Sequence, residues 1–347
     1  MKFAIVGLGA AARAIHLPAL RKLSNVEIVG CHDERPQAGI DGIPFYASLA
    51  DMLAQARPDF LVVSTPPASH FELARQGLAA GCHVFCEKPL TDTLDEADEL
   101  ARLSKHHGRH VMVNSEFPWM PIHTAAKRRM SEPGFGQLRF VSMNQTFLVT
   151  AENEKGWRGA NRNRTFMEFG SHVLDLAQFF FDARPVSIRA RMPRPAGPDA
   201  ADHLNIVELA FSGDRYAHII LDRLSKGVHR YLDIRLDGSE ATIETSIGGR
   251  METTFGLNAR TRRPFIDLNV AMGGQARLYR GEACERLATA PLDLFADATA
   301  RLLTDVIEAI KRGETPPCSL PHARNTLALL IACYESAADG LPRQVAG

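Results

Sequence analysis

At 347 residues the chain is long enough for two domains with separate cores. Its forty basic and forty acidic side chains cancel, so no global charge favours nucleic acid or an anionic membrane. The six cysteines lack the density and spacing of a disulfide scaffold, the longest apolar run (Leu327 to Tyr334) is far short of a membrane span, and no secretory leader is visible, which together predict a cytoplasmic protein.

From residue 1 to about 120, short apolar runs alternate with helical stretches. Phe3–Val6, Val26–Cys31, Phe60–Ser64, His83–Cys86 and His110–Val113 read as strands. Arg13–Leu23, Ser48–Gln55, Ser69–Ala80 and Leu94–His106 read as helices between them. Such alternation predicts a parallel sheet covered on both faces. Beyond residue 120 the texture changes. One helix is predicted over Glu168–Phe181. Strands are predicted at Leu138–Val149, Pro185–Arg191, Leu204–Phe211, Arg215–Leu221, Tyr231–Leu236 and Glu240–Thr245. Turn signals at Ser212-Gly213-Asp214 and Asp237-Gly238 make them hairpins of an antiparallel sheet. Two helices, Asp293–Lys311 and Leu320–Ala338, close the chain. The predicted organisation is a dinucleotide-binding domain over residues 1–120 and a substrate and assembly domain over 121–347, with the last helices able to pack back on the first.

Gly7-x-Gly9-x-x-Ala12 follows a strand and opens a helix. In that context the first glycine permits a tight turn, the second lets the backbone approach a pyrophosphate, and the small third residue lets helix and strand pack closely. Leu8, Ala10 and Ala11 lie on the same turn. Asp33 ends the second strand, where a carboxylate accepts hydrogen bonds from ribose hydroxyls and repels a 2′-phosphate. NAD is therefore expected, with NADP possible because Arg35 stands nearby. Thr65-Pro66-Pro67-x-x-His70, Glu87-Lys88-Pro89 and Asn114 follow the ends of later strands, where cofactors of open parallel sheets bind. Cys82, His83 and Cys86 share one apparent strand whose side chains alternate in direction, so no metal site is expected.

With those motifs in order, the chain resembles the glucose–fructose oxidoreductase / myo-inositol dehydrogenase (Gfo/Idh/MocA) family. Further matches are His16-Leu17-Pro18-Ala19-Leu20, Glu168-Phe169-Gly170-Ser171-His172-x-x-Asp175 and Ala332-Cys333-Tyr334-Glu335-Ser336-Ala337. The resemblance implies an α/β chain: an N-terminal Rossmann domain followed by an α+β domain on an open, mostly antiparallel sheet. It also implies a homodimer or homotetramer. Carried over by position, Lys88, His172 and Glu168 become the catalytic residues, although the family usually has aspartate at the third place. The chain departs from the family pattern twice more. Trp157-Arg158 is followed by Arg162-Asn163-Arg164 where glycines are usual, and Ser115-Glu116 stands where an arginine commonly follows the asparagine.

Glu168 and His172, four apart, share a face of the predicted helix, where the carboxylate would raise the basicity of the imidazole. His172 is then the expected base for an alcohol proton and Lys88 the expected partner of the forming alkoxide. Trp157, Arg158, Arg162, Arg164 and Asp175 are candidate substrate contacts, and three arginines in one loop suit an anionic sugar or polyol. The expected activity is hydride transfer between NAD and a secondary alcohol or ketone of a sugar, polyol or derivative. Transient oxidation by tightly held NAD in an isomerase, lyase or glycosidase, and a non-catalytic NAD sensor, stand as alternatives.

Overall fold

A computed structural model of the protein describes residues 1–35, 40–147, 159, 162–195, 197, 199–226, 231–248, 250–257, 262, 264–271 and 273–345. The chain forms two compact units. Met1–Trp119, Phe166–Asp175 and Phe295–Glu335 make the first; Met120–Thr165, Leu176–Leu294 and Ser336–Gly347 make the second. Eight α-helices occur among the described residues: α1 (Leu17–Arg21), α2 (Leu49–Ala56), α3 (His70–Ala79), α4 (Leu94–His107), α5 (Pro121–Met130), α6 (Ser171–Phe181), α7 (Leu294–Lys311) and α8 (Leu320–Asp339).

The first unit is built on β1 (Lys2–Val6), β2 (Glu27–His32), β3 (Phe60–Val63), β4 (His83–Cys86) and β5 (Val111–Val113). These strands form a parallel sheet in the order β2-β1-β3-β4-β5. Alternation divides the apolar runs between two layers. Phe3, Ile5, Phe60, Val62, Phe85 and Met112 pack with Leu302, Leu303 and Val306 of α7. Ala4, Val6, Leu61, Val63, Val84 and Val113 pack with residues of α2, α3 and α4 and with Leu320 and Ala323 of α8. Both faces are therefore dry, which is why the strands read as continuous apolar runs. Helix α4 starts at a capping box, Thr93 with Glu96, and stops at Gly108, whose φ is +60°. The chain turns from β2 back across β1 to reach β3, so the crevice at the carboxyl ends of β1 and β3 is the topological switch point.

The second unit holds β6 (Leu138–Thr146), β7 (Ser187–Arg191), β8 (Leu204–Phe211), β9 (Arg215–Asp222), β10 (Leu232–Gly238) and β11 (Thr242–Ile247). It continues with β12 (Arg250–Leu257), β13 (Pro264–Ala271), β14 (Gly274–Arg280), β15 (Ala283–Ala290) and β16 (Arg343–Gln344). Nine of these make one sheet, β15-β14-β11-β10-β6-β9-β8-β7-β16, while β12 and β13 pair as a separate hairpin. The large sheet is antiparallel except where β6 runs parallel to β9. Val207, Leu209 and Phe211 of β8 are buried at alternate positions, the mark of a sheet with one packed face. Helix α5 lies against β11, β14 and β15. Among the described residues no helix is long and apolar enough to cross a membrane.

The predicted helix over Glu168–Phe181 differs in its first turn. Phe166–Gly170 forms a π turn, and α-helical geometry begins only at Ser171. Gly170 belongs to this turn because a Cβ there would lie 2.9 Å from the Phe166 ring and 3.0 Å from Leu330.

Candidate active site

Gly7 ends β1 with φ +86°, and a Cβ on it would meet the Ser64 carbonyl oxygen at 2.5 Å. It is glycine because of the protein itself: the loops after β1 and β3 touch there. At Gly9 an added Cβ would have nothing within 4 Å, so that glycine leaves open space above the turn. Such a cradle suits a dinucleotide pyrophosphate, and the carboxylate beside it suits the ribose. Asp33 accepts the Leu8 amide on Oδ2 at 2.7 Å and the Arg35 amide on Oδ1 at 2.9 Å. Each oxygen keeps a lone pair for a ribose hydroxyl.

Beyond Ala12 the chain makes a π turn, Ala12–His16, before α1. Pro18 lacks the N–H that an α-helix would use there and crowds the preceding turn, which accounts for the widening. The turn carries His16 to Glu87, with His16 Nε2 donating to Glu87 Oε1 at 2.8 Å. Asn114 Nδ2 donates to the same oxygen at 3.0 Å, and Thr299 of α7 donates to Asn114 Oδ1 at 3.1 Å. Burial pushes the Glu87 carboxyl upward, yet His16, Lys88 and Asn114 hold it well below the usual carboxylate range. The side chains of Glu87 and Asn114 are thus engaged in fixing the strand ends around Lys88.

His70 is buried, and both its ring nitrogens face backbone carbonyls: Nδ1 lies 2.7 Å from Pro89 O and Nε2 2.8 Å from Thr65 O. Its ring ties the loop after β3 to Lys88-Pro89, a brace between two loops that border the crevice. Thr65 Oγ1 accepts from Ser69, which holds the same loop.

Lys88 points its ammonium at the π turn. Nζ donates to the Glu168 carbonyl at 2.7 Å and lies 5.3 Å from the centre of the Phe169 ring. His172, one turn further on, is buried and stacked on Phe117 with ring centres 4.0 Å apart and planes 12° apart. Burial first, and the Lys88 charge second, hold the imidazole well below its ordinary value, with Glu87 opposing. The structure therefore joins Lys88 to the segment bearing Glu168 and His172, but corrects the expected Glu168–His172 pair. Nδ1 of His172 has no hydrogen-bond partner among the described residues, and Glu168 meets Lys88 through its backbone oxygen. Glu168 lies in the π turn and His172 in α6, and the imidazole takes the Phe117 ring as its partner. Basicity of His172 is lowered where it was expected to be raised.

Asp175 is buried on α6, with Oδ1 2.7 Å from His322 Nε2. Glu116 is buried just past β5, and its carboxyl is pushed up to about 8, by burial first and then by Glu87 and Asp175, against Lys88 and a backbone bond. Neither Glu116, Phe117, His16, Thr299 nor His322 was picked out as a site residue from the sequence. His16 had a visible signal in its His-Leu-Pro motif and Glu116 in its departure from the family pattern. The other three had none.

The remaining candidates lie in the second unit or outside the described residues. Trp157 and Arg158 are among the latter. Arg162 is exposed, with Nη2 3.6 Å from Asp199 Oδ1. Arg164 is buried, and its backbone amide donates to Asp202 at 2.8 Å. Arg194 further clamps this segment through the Arg162 carbonyl and the Asn163 side chain. Arg162 and Arg164 thus do not act alike: one meets solvent, the other is packed. Among the described residues no cluster of His, Cys, Asp and Glu is arranged to hold a metal.

Comparison with known proteins fits this architecture. Residues 1–115 match the model of the oxidoreductase family GFO_IDH_MocA, described as an NAD-binding Rossmann fold, and residues 123–244 match the GFO/IDH/MocA C-terminal domain. A D-apiose dehydrogenase of Paraburkholderia graminis is 26% identical over 98% of this chain and 88% of its own length. An uncharacterised oxidoreductase of Schizosaccharomyces pombe is 29% identical, with 55% of each chain covered. Among solved structures, an Agrobacterium radiobacter oxidoreductase in complex with NAD+, L-tartaric acid and magnesium superposes with TM-score 0.80 at 19% identity, over 99% of this chain and 98% of that one. An aldose-aldose oxidoreductase from Caulobacter crescentus complexed with glycerol gives the same score at 20% identity, over 99% of each.

Proposed function

The chain belongs to the GFO/IDH/MocA family of oxidoreductases with an NAD-binding Rossmann domain, and from that premise we propose that it oxidises or reduces a secondary alcohol or ketone of a sugar, polyol or sugar derivative. The relatives named above as dehydrogenases and oxidoreductases of sugars support this substrate class. The observation that carries the reading is the Lys88 ammonium held at 2.7 Å against the backbone of the turn that leads to the buried His172.

NAD supplies the hydride acceptor in oxidation, and NADH the donor in reduction. Gly7 and Gly9 shape the turn for the pyrophosphate, and Asp33 takes the ribose hydroxyls, which favours NAD over NADP. Lys88 stabilises negative charge developing on the substrate oxygen. The carbonyl of Glu168 aims its ammonium before substrate arrives, so little reorganisation remains for the reaction. His172, kept uncharged by burial, is in the state that accepts the hydroxyl proton. Glu168 serves through its backbone in this scheme.

The test is reduction of NAD across a panel of sugars and polyols by wild-type protein and Lys88→Met. Wild-type turnover that falls at least about a hundredfold in kcat in the variant, with NAD still bound, supports the assignment. NAD binding without turnover on any substrate, or a Lys88→Met variant of full activity, overturns it.

A further inference from the structure

An imidazole that burial keeps from holding charge is a poor final resting place for a proton. His172 can take the proton of the substrate hydroxyl, but it must pass that proton on before the next turnover. The structure supplies a neighbour. His172 and Asp175 are three residues apart on α6, where side chains at that spacing lie side by side along the helix. Asp175 is buried, its side chain only 4% exposed, and Oδ1 stands 2.7 Å from Nε2 of His322, whose side chain is 38% exposed. His322 occupies the first turn of α8, in the same compact unit. A buried imidazole, a buried carboxylate and a partly exposed imidazole thus stand within one compact unit.

We propose that Asp175 and His322 are the proton exit of the active site, Asp175 relaying between His172 and His322, and His322 exchanging with water. The inference rests on the hydride-transfer reading and deepens it. In oxidation the carbinol C–H bond breaks and its electron pair leaves as hydride to the nicotinamide. The O–H bond breaks, its electrons forming the carbonyl, and its proton goes to His172. Transfer through Asp175 to His322 and on to solvent restores neutral His172. Reduction runs the same path inward.

The groups around Asp175 are consistent with this role. Besides His322 they are Glu116 past β5 and Cys318 before α8. Burial, together with Asp175 and Glu116, pushes the Cys318 thiol well above its usual range, so it stays protonated and does not compete as a base. At His322 burial pulls downward, but the Asp175 carboxylate outweighs it and leaves the imidazole raised. The Asp175 carboxylate thus favours the protonated imidazole at His322, the form that carries the relayed proton.

The test compares wild-type protein, His322→Ala and His322→Asn under saturating NAD and polyol, in dilute buffer without small proton carriers. We expect kcat to fall about ten- to a hundredfold in both variants with KM little changed. Added imidazole should restore kcat in His322→Ala in a saturable manner. A packing or hydrogen-bonding role would instead be rescued by asparagine and ignore imidazole. Folded variants with wild-type kcat, or a His322→Ala variant indifferent to imidazole, overturn the relay while wild-type turnover keeps the parent reading intact. Absence of wild-type turnover on every polyol overturns both.

Discussion

Burial drives two neighbours of Lys88 toward neutrality from opposite directions: it lowers His172, a base, and raises Glu116, an acid. Both shifts make folding stability depend on pH, with opposite signs. His172 is depressed when folded, so below its ordinary value near 6.5 the unfolded chain takes a proton that the folded chain refuses, and stability falls with pH. Glu116 is raised from 4.5 to about 8, so its contribution is whole below about 4.5 and is lost as pH rises through about 8. Glu116→Gln keeps the shape and removes the titration. Relative to wild type the variant should therefore gain stability between pH 5 and pH 9, on the order of a few kcal/mol at the upper end. Urea unfolding at several pH values measures this. Parallel curves for the two proteins would show that Glu116 ionises in the folded state as easily as in the unfolded one.

The glycine turn separates two reasons for having no side chain. Gly7→Ala puts a methyl group 2.5 Å from the Ser64 carbonyl at a φ of +86°, so the loop itself must distort. Gly9→Ala places its methyl in open space. We expect Gly7→Ala to lower the melting temperature and NAD affinity together, and Gly9→Ala to leave the melting temperature within about 2 °C while weakening NAD at least about tenfold. Equal effects of the two on both measurements would refute this division. The glycine turn after β1, Asp33 at the end of β2 and Lys88 past β4 were legible in the sequence because strand ends place them, whereas His172 was singled out through the family resemblance. The five parallel strands were legible because each is a short apolar run bounded by turns. Strand β15 was not: it forms the edge of its sheet, Ala283 to Arg286 are exposed, and its pairing with β14 supplies an order that its own pattern does not announce. Helix α5 hid for a related reason, a short polar stretch whose buried side is Ile122, His123 and Ala126. The π turns could not be read from spacing either. His322 meets Asp175 only through tertiary packing, which no local pattern encodes.

At the scale of the molecule, the first unit is not contiguous in sequence. Its sheet is finished by residue 113, yet one face of that sheet is covered by Leu302, Leu303, Val306 and Ile307 from α7. The same helix sends Thr299 to Asn114, and Trp119 donates to Asp305 at 2.7 Å. A fragment of residues 1–119 would therefore expose the apolar layer made by Phe3, Ile5, Phe60, Val62 and Phe85, and would lose one support of the Glu87 network beside Lys88. The cost can be sampled without truncation. Leu303 is fully buried, so Leu303→Ala should lower global stability by about 2–5 kcal/mol, although it lies far along the chain from every strand of the parallel sheet. Because the Gly7–Ala12 turn sits on that sheet, bound NAD should recover part of the lost melting temperature in the variant, by mass action on the folded state. Thermal unfolding with and without NAD reads both quantities. A fragment of residues 1–119 that binds NAD as tightly as the whole chain, or a Leu303→Ala variant of unchanged stability, would mean that α7 is an ornament on an independently stable domain, and the packing of its four apolar residues on the sheet argues the reverse.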